Sequence, residues 1–439
     1  MLLKNFSSGF IRYAGQAARL LIRMAGGLTV MVWSFLKTHS KILLEAFAGT
    51  TFIFVIALSV HTYLHKINVN FLNPDERSIE DIEFSDFYFS QFQDSVGPDN
   101  SIIIINFSDT SRAALAACIE ELAAAQPLVI ALDYQFNRDK SPEDDSLMGV
   151  LDKYRRLLVL ANGYYPKTGS PDGDAIVNDT LRNEMLNDPR YKNDTFNYGY
   201  TNVDERNRWS TVRYFRPVKQ IGDTQYSFAT AIVKLADTAR YDELRRRCGG
   251  DRTLINYKKA KKRFRYFESF PGKDSVKGKI VLLGFFDKSR TMLTDAHFTP
   301  YNKISGRAIP DMYGVEIQAH IVSMILRSDY IDEVPYPDIF RFIACFLFCI
   351  PLTYSFRHHE QNYHLIFEAM LICFSLIIVS LSMWLLYFYK RKLEPSDFIV
   401  LIIPAGYLLY LYKFTRNGGR QIVNWIYGSR KTFISKTKS

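Results

Sequence analysis

Three aspartates, Asp109, Asp133 and Asp287, each fall just after a short, largely β-branched apolar run. Asp109 follows Ser101–Phe107, Asp133 closes Leu128–Leu132, and Asp287 lies just past Lys279–Phe285. If those runs are parallel strands of one sheet, the carboxylates share the crevice beyond the strands' carboxyl ends, where open parallel sheets bind ligands. Carboxylates gathered there could hold a divalent cation, a cationic ligand or the hydroxyls of a sugar. Taken singly, each has a structural reading as well: an Asp after a strand often caps the next helix or fixes a turn.

Other reactive groups give less. His297, His320 and Glu316, the last one turn before His320, make a conceivable His-His-carboxylate set. Glu-x-x-x-His on a helix is common by chance, and His297 reads more simply as fixing its loop by a hydrogen bond. No metal and no cofactor is therefore expected. The basic run Lys258–Arg265 suits a polyanion on paper, but such runs usually stay in water. It reads as the solvated tip of a hairpin joining Thr253–Tyr257 to Tyr266-Phe267, and no nucleic-acid partner is expected. The sequence has no Gly-rich phosphate loop, nucleophile elbow or Cys-His pairing, so hydrolytic or nucleotide chemistry has no motif to rest on. The five cysteines do not make a disulfide scaffold. The expectation is a protein that is not an enzyme. A metal-dependent envelope enzyme is kept as a separate reading, requiring metal held by residues 66–338 and lost with Asp133→Asn.

The elements that must position these residues are those of an α/β domain. Ser101–Phe107 lacks period-2 alternation, which suits a strand covered on both faces. Thr110-Ser111 caps the helical stretch Arg112–Ala125, Leu128–Leu132 is a second strand, Pro142–Arg155 a second helix and Leu157–Ala161 a third strand. That β-α-β-α-β order demands crossovers, hence a largely parallel, helix-flanked sheet. Tyr226–Ala236 adds a helix, Thr253–Tyr257 and Lys279–Phe285 add strands, and Val315–Leu326 closes the domain as a helix. Residues 164–225 are Asn- and Asp-rich and read as an insertion with short antiparallel strands such as Trp209–Phe215.

Four apolar stretches bracket this block: 42–64 before it, and 339–356, 365–388 and 398–414 after it. Each approaches the ~20 residues that cross a ~30 Å hydrocarbon core as a helix. Residues 1–42 carry six basic and no acidic side chains, 413–439 carry seven and none, and 66–338 hold 37 basic against 40 acidic. The positive tails read as cytoplasmic. Four crossings then place 66–338 outside, as the periplasmic domain of a multi-pass bacterial inner-membrane protein. Lys390, Arg391 and Lys392 run against that bias, since they fall in an outward loop. The organisation is thus a basic amphipathic leader (1–41), a signal anchor (42–64), an exported domain (66–338), three further spans and a basic tail (415–439).

Several segments resemble the second class of CHASE domains, the cyclase- and histidine-kinase-associated sensory extracellular domains. Gly278-Lys-Ile-Val-Leu-Leu-Gly284, then Asp295-Ala-His-Phe-Thr-Pro300, then Met312-Tyr-Gly-Val-Glu-Ile-Gln-Ala-His320 is similar to that family's closing "gKivliG … D … tP … pGveihA" pattern. Ala131–Phe136 resembles its "igfDixf" strand end, Ser101–Ser111 its opening segment, and Asn197–Arg213 its "G..n...D.DG..R" hairpin. The resemblance covers roughly 75–330 and implies a ligand-binding role for Asp109, Asp133, Asp204, Asp295 and Glu316. Two departures are plain. Asn106-Phe107-Ser108 replaces part of the family's first acidic cluster, and a longer Glu205–Ser210 loop replaces the Asp-Gly turn after Asp204.

The expectation is a membrane sensor whose exported domain binds a ligand or protein and relays the event through its helices. Its partners would be that ligand, membrane lipid and a separate cytoplasmic or membrane signalling protein, with a homodimer among the assemblies left open. The alternative is a structural or scaffolding subunit of a multiprotein cell-envelope complex.

Overall fold

A computed structural model describes residues 37–57, 59, 83–93, 96–107, 111–134, 144–166, 174–177, 196–203, 211–221, 223–249, 251–258, 263–289, 291–292, 295–301, 310–409 and 411–412. Most of the amphipathic leader, the whole of the tail, Asp109 and Asp204 lie outside the described residues.

Along the chain, helix α1 (Lys37–Ala57) precedes the short helix α2 (Phe84–Phe87) and a π-helical turn, Tyr88–Phe92. Strand β1 (Ile102–Asn106), helix α3 (Arg112–Ala124), strand β2 (Val129–Leu132), helix α4 (Asp144–Tyr154) and strand β3 (Leu158–Pro166) give the expected alternation. Strands β4 (Asp174–Val177), β5 (Asn197–Tyr200), β6 (Tyr214–Phe215), β7 (Val218–Ile221) and β8 (Asp223–Tyr226) follow. Next come helices α5 (Phe228–Ala236) and α6 (Thr238–Cys248), strands β9 (Thr253–Leu254) and β10 (Arg265–Phe267), helix α7 (Lys273–Val276) and strand β11 (Ile280–Gly284). Strands β12 (Ala296–His297) and β13 (Met312–Tyr313) lead into helix α8 (Gly314–Leu326) and strand β14 (Asp332–Glu333). Helices α9 (Pro337–His358) and α10 (Tyr363–Tyr389), strand β15 (Arg391–Lys392) and the shorter apolar helix α11 (Pro395–Leu409) complete the described chain.

The chain divides into two units, one of Met1–Leu72, Pro335–Leu381 and Pro395–Ser439, the other of Asn73–Val334 with Ser382–Glu394. The second unit is an α/β domain whose main sheet runs β10-β1-β11-β2-β3-β4, with β5 also beside β3. Every pairing in it is parallel except β3 with β4. Alternate residues of the central strands enter two separate cores. Ile103, Ile105, Ile130, Leu132, Val281 and Leu283 pack under α3 and α4. Ile102, Ile104, Val129, Ala131, Ile280 and Leu282 pack under α5 and α8. Each such Val, Leu or Ile side chain contributes roughly 1.5–3 kcal/mol of transfer energy; burial on both faces is why the apolar runs show no alternation. Local signals start the helices. Ser111 Oγ accepts from Ala114 N at 3.3 Å, and Asp237 Oδ1 accepts from Arg240 N at 3.1 Å.

Two sequence expectations change here. The region read as an insertion does supply antiparallel pairs, β7 with β8 and, partnered outside it, β6 with β9. It also supplies β5, which is a parallel member of the main sheet. Gly199 makes that possible: a Cβ there would sit 2.5 Å from Phe228 Cα, so only glycine lets α5 approach the strand. The strands expected to flank a Lys258–Arg265 hairpin take other partners: Thr253-Leu254 pairs with β6, whereas Arg265–Phe267 pairs in parallel with β1. Arg263, expected in water, is buried. Its Nη1 donates to Gly97 O at 2.8 Å, and Nη2 lies 3.5 Å from the buried carboxylate of Asp99.

The first unit contains α1, α9 and most of α10, each long and apolar enough to cross a membrane, and the shorter α11. Buried Cys345, Phe348, Cys349, Leu352, Ala405 and Leu409 form its interior. Arg357 donates from Nε and Nη2 to the two carboxylate oxygens of Glu45 at 3.1 and 2.6 Å, a bidentate tie between α1 and α9. The Tyr363 hydroxyl donates to Gly406 O at 3.1 Å, joining α10 to α11.

Candidate functional site

The carboxyl ends of β1, β11 and β2 lie side by side, and the backbone continues their ladder one step past each strand. Phe107 N donates to Gly284 O at 3.1 Å and Asp133 N to Leu283 O at 2.8 Å. This fixes Asp133 at the mouth of the crevice expected from strand order. Phe107 and Tyr134 meet edge to face there, with ring centroids 6.4 Å apart.

Asp295 reaches the same place from the other side. It has φ +58°, and its carbonyl accepts from Gly314 N at 3.1 Å. Its carboxylate lies over the first residue of α8, so a Cβ on Gly314 would come within 2.7 Å of Oδ2. His297 Nε2 lies 3.4 Å from Asp295 Oδ1, and β12 holds that histidine by pairing with β13. Burial, and then the Asp295 carboxylate, push the Asp133 carboxyl up to about 8, with His297 opposing. Two acids and an imidazole thus share one corner, suited to donors from a cationic or hydroxylated ligand. Gly314→Ala is expected to displace Asp295 and destabilise the domain by about 1–3 kcal/mol; a denaturant midpoint equal to that of the unchanged chain would contradict the contact.

Glu316 is engaged otherwise. Its Oε2 accepts from Tyr313 N at 2.9 Å, closing the start of α8, and its Oε1 accepts from the Tyr266 hydroxyl at 2.9 Å. Asp287 takes the structural reading: Oδ1 accepts from Ser289 N and Oδ2 from Thr291 N and Met292 N, at 2.8–3.0 Å. The Ser289 hydroxyl, which donates to Oδ1 at 2.6 Å, and then those amides hold its carboxyl well below the usual range. Asn106, the departure from the family's acidic cluster, is a clamp whose Oδ1 accepts from Phe286 N at 3.2 Å and whose Nδ2 donates to Glu268 at 2.6 Å. His320 packs among Tyr257, Phe264 and Tyr301, apart from any His-His-carboxylate set, and its burial pulls the imidazole down to about 3. Among the described residues, no three His, Cys, Asp or Glu side chains converge as metal ligands.

A second polar cluster, not anticipated from sequence, lies within the same unit. Lys392 is buried against Glu83 and the Tyr214 hydroxyl, which itself donates to Glu83 Oε2 at 3.2 Å. Beside it, Arg213 donates from Nε and Nη2 to Asp86 at 2.8 and 2.6 Å, a buried bidentate pair. The short loop after α10 is thereby knitted into the domain. β15 pairs in parallel with β14, Lys390 meets Asp329, Arg391 lies 3.4 Å from Asp332, and Glu394 Oε1 accepts from Phe84 N at 3.1 Å. Burial works against the Lys392 ammonium, yet Glu83 and Tyr214 together hold its pKa above the ordinary value. The only signal available beforehand was three cations placed where the charge bias disfavours them.

Residues 69–352 match the family model described as the CHASE2 domain. Neither a curated protein nor a solved structure matches the chain.

Proposed function

We propose that this chain, which belongs to the CHASE2 domain family, is a membrane sensor that binds a ligand or partner through its α/β domain and relays the event to its helices. The observation that carries the reading is the strand pair β14–β15 with its three ion pairs. Groups that hydrogen-bond to one another lie on one side of a bilayer, so the loop after α10 shares a side with the domain. α9 and α10 then cross as a hairpin. The basic tails support reading that shared side as the periplasm, with α1 and α11 as the remaining crossings and both termini in the cytoplasm. Lys390, Arg391 and Lys392 tolerate an outward position because Asp329, Asp332 and Glu83 neutralise them.

The same contacts supply a route for the signal. Asp295 lies against Gly314 at the head of α8, and the chain leaves its tail through Asp329 and Asp332, which grip the loop. α8 spans 13 residues, a rod of about 20 Å. A ligand that rearranges Asp133, Asp295 and His297 pushes one end of that rod and moves α10 at the other.

The test needs no ligand. In full-length, cysteine-free protein in nanodiscs, spin labels at positions 41 and 358 report the spacing of the cytoplasmic ends of α1 and α9. Gly314→Ala and Lys392→Met should each shift that distance distribution. Unmoved distributions in variants whose domains remain folded would end the relay reading. Separately, Lys273→Cys should react with an impermeant maleimide in intact spheroplasts and Gln361→Cys only after permeabilisation; the reverse pattern would overturn the orientation.

A further inference from the structure

Helix α2 and the π-helical turn bury Ser85, Asp86, Tyr88 and Phe89 and leave Phe87 and Phe92 outside, 52% and 49% exposed. The two rings meet edge to face with centroids 5.3 Å apart. A phenyl ring forgoes roughly 1.5–3 kcal/mol when left in water instead of buried. An ordered pair in the open therefore marks a surface that something covers.

The adjoining chain identifies the cover. Phe84 N is held by Glu394, the residue immediately before α11, and Glu83 is held by Lys392. Phe87 is three residues beyond Phe84, just under one turn and about 4.5 Å along the helix axis. The end of α10 in this same unit exposes Trp384, Tyr387, Phe388 and Tyr389, followed by exposed Lys390 and Arg391. Aromatic residues followed by cations mark the order of a lipid–water boundary. The aromatic pair thus begins about one helical turn from a backbone amide held by Glu394, in the loop that joins α10 to α11.

We propose that Phe87 and Phe92 form a non-spanning anchor that inserts into the headgroup and upper acyl region of the extracytoplasmic leaflet. The proposal rests on the reading of α10 as a membrane-spanning helix. In that position the pair gains most of its apolar transfer energy from lipid while the rest of α2 stays in the domain.

The experiment uses single-tryptophan forms of the full chain, which has four native tryptophans, Trp33, Trp209, Trp384 and Trp425. One form keeps only Trp384. A second replaces all four by Phe and carries Phe92→Trp; a third carries Phe87→Trp, so that a fold lost in one leaves the other to report. Each is reconstituted in phosphatidylcholine–phosphatidylglycerol vesicles whose acyl chains are brominated either near the glycerol or near the terminal methyl. The expected result is blue-shifted emission at 92 and 87, quenched severalfold more by shallow than by deep bromine and little by acrylamide. Emission like that of free indole, quenched by acrylamide and untouched by bromine while Trp384 is quenched, would overturn the anchor alone. Blue-shifted emission insensitive to both quenchers would overturn it in favour of a second copy or another protein. If Trp384 itself escapes bromine, the spanning premise fails and the anchor with it.

Discussion

Replacing Lys392 by methionine should lower the unfolding free energy of the α/β unit by about 3–5 kcal/mol, the usual cost of leaving one member of a buried ion pair alone. Glu83 would keep its charge among Tyr214 and Glu394 with no ammonium to answer it. Removing both charges together, Glu83→Gln with Lys392→Met, should recover most of that loss, since a neutral pair of similar volume is often tolerated. The double variant separates charge burial from simple truncation. The pH dependence has a definite sign. Burial alone would raise the Glu83 carboxyl, but Lys392, with Arg213 and Tyr214, holds it below its ordinary value. Its contribution is complete above the unfolded carboxylate value of about 4.3 and is lost as pH falls through the folded one. Lys392, raised, contributes fully below about 10.4 and loses its share only as pH climbs through its folded value. Between about pH 6 and 9 the loss in Lys392→Met should therefore be constant. It is measured as the shift in denaturant midpoint for full-length protein in mild detergent; a single variant within about 0.5 kcal/mol of the parent would contradict the buried pair.

Asp133 behaves in the opposite way. With its carboxyl pushed up to about 8 by burial and by Asp295, the folded domain keeps a proton that the unfolded chain releases near 3.9. Stability contributed by that proton is present at low pH and declines as pH rises from about 4 to about 8, by up to 1.4 kcal/mol per unit. Solvent at the crevice mouth reduces the total to roughly 3 kcal/mol. Asp133→Asn keeps the shape and removes the titration, so the variant should be flatter across this range and more stable than the parent at pH 8. The measurement is the denaturant midpoint at half-unit steps of pH. Parallel curves for parent and variant would show that Asp133 ionises freely in the fold.

The central strands were legible because β1, β2 and β11 are buried on both faces and their runs admit no other packing. Position after a strand was likewise enough to place Asp133 at the crevice. Position alone did not separate Asp133 from Asp287, which has the same approach but folds its carboxylate onto its own loop. β5 was missed because four residues, Asn-Tyr-Gly-Tyr, give no periodic signal, and their membership depends on contact with α5. Arg263 looked solvated because a basic run does not reveal that Asp99 waits in the core. The Lys392 cluster joins groups more than three hundred residues apart along the chain, and no local pattern encodes such a meeting.

Strand order also sets a timetable for biogenesis. β11 occupies the centre of the sheet between β1 and β2, so the first two strands must wait for translation to pass Gly284 before either gains its inner neighbour. β15 arrives later still, after the whole of α9 and α10 has been synthesised. Such long-range pairing is slow and leaves apolar edges open meanwhile. Under the topology proposed above, completion of the α/β unit is thus contingent on insertion of the α9–α10 hairpin, because β14 gains its partner only once β15 has been delivered beside it.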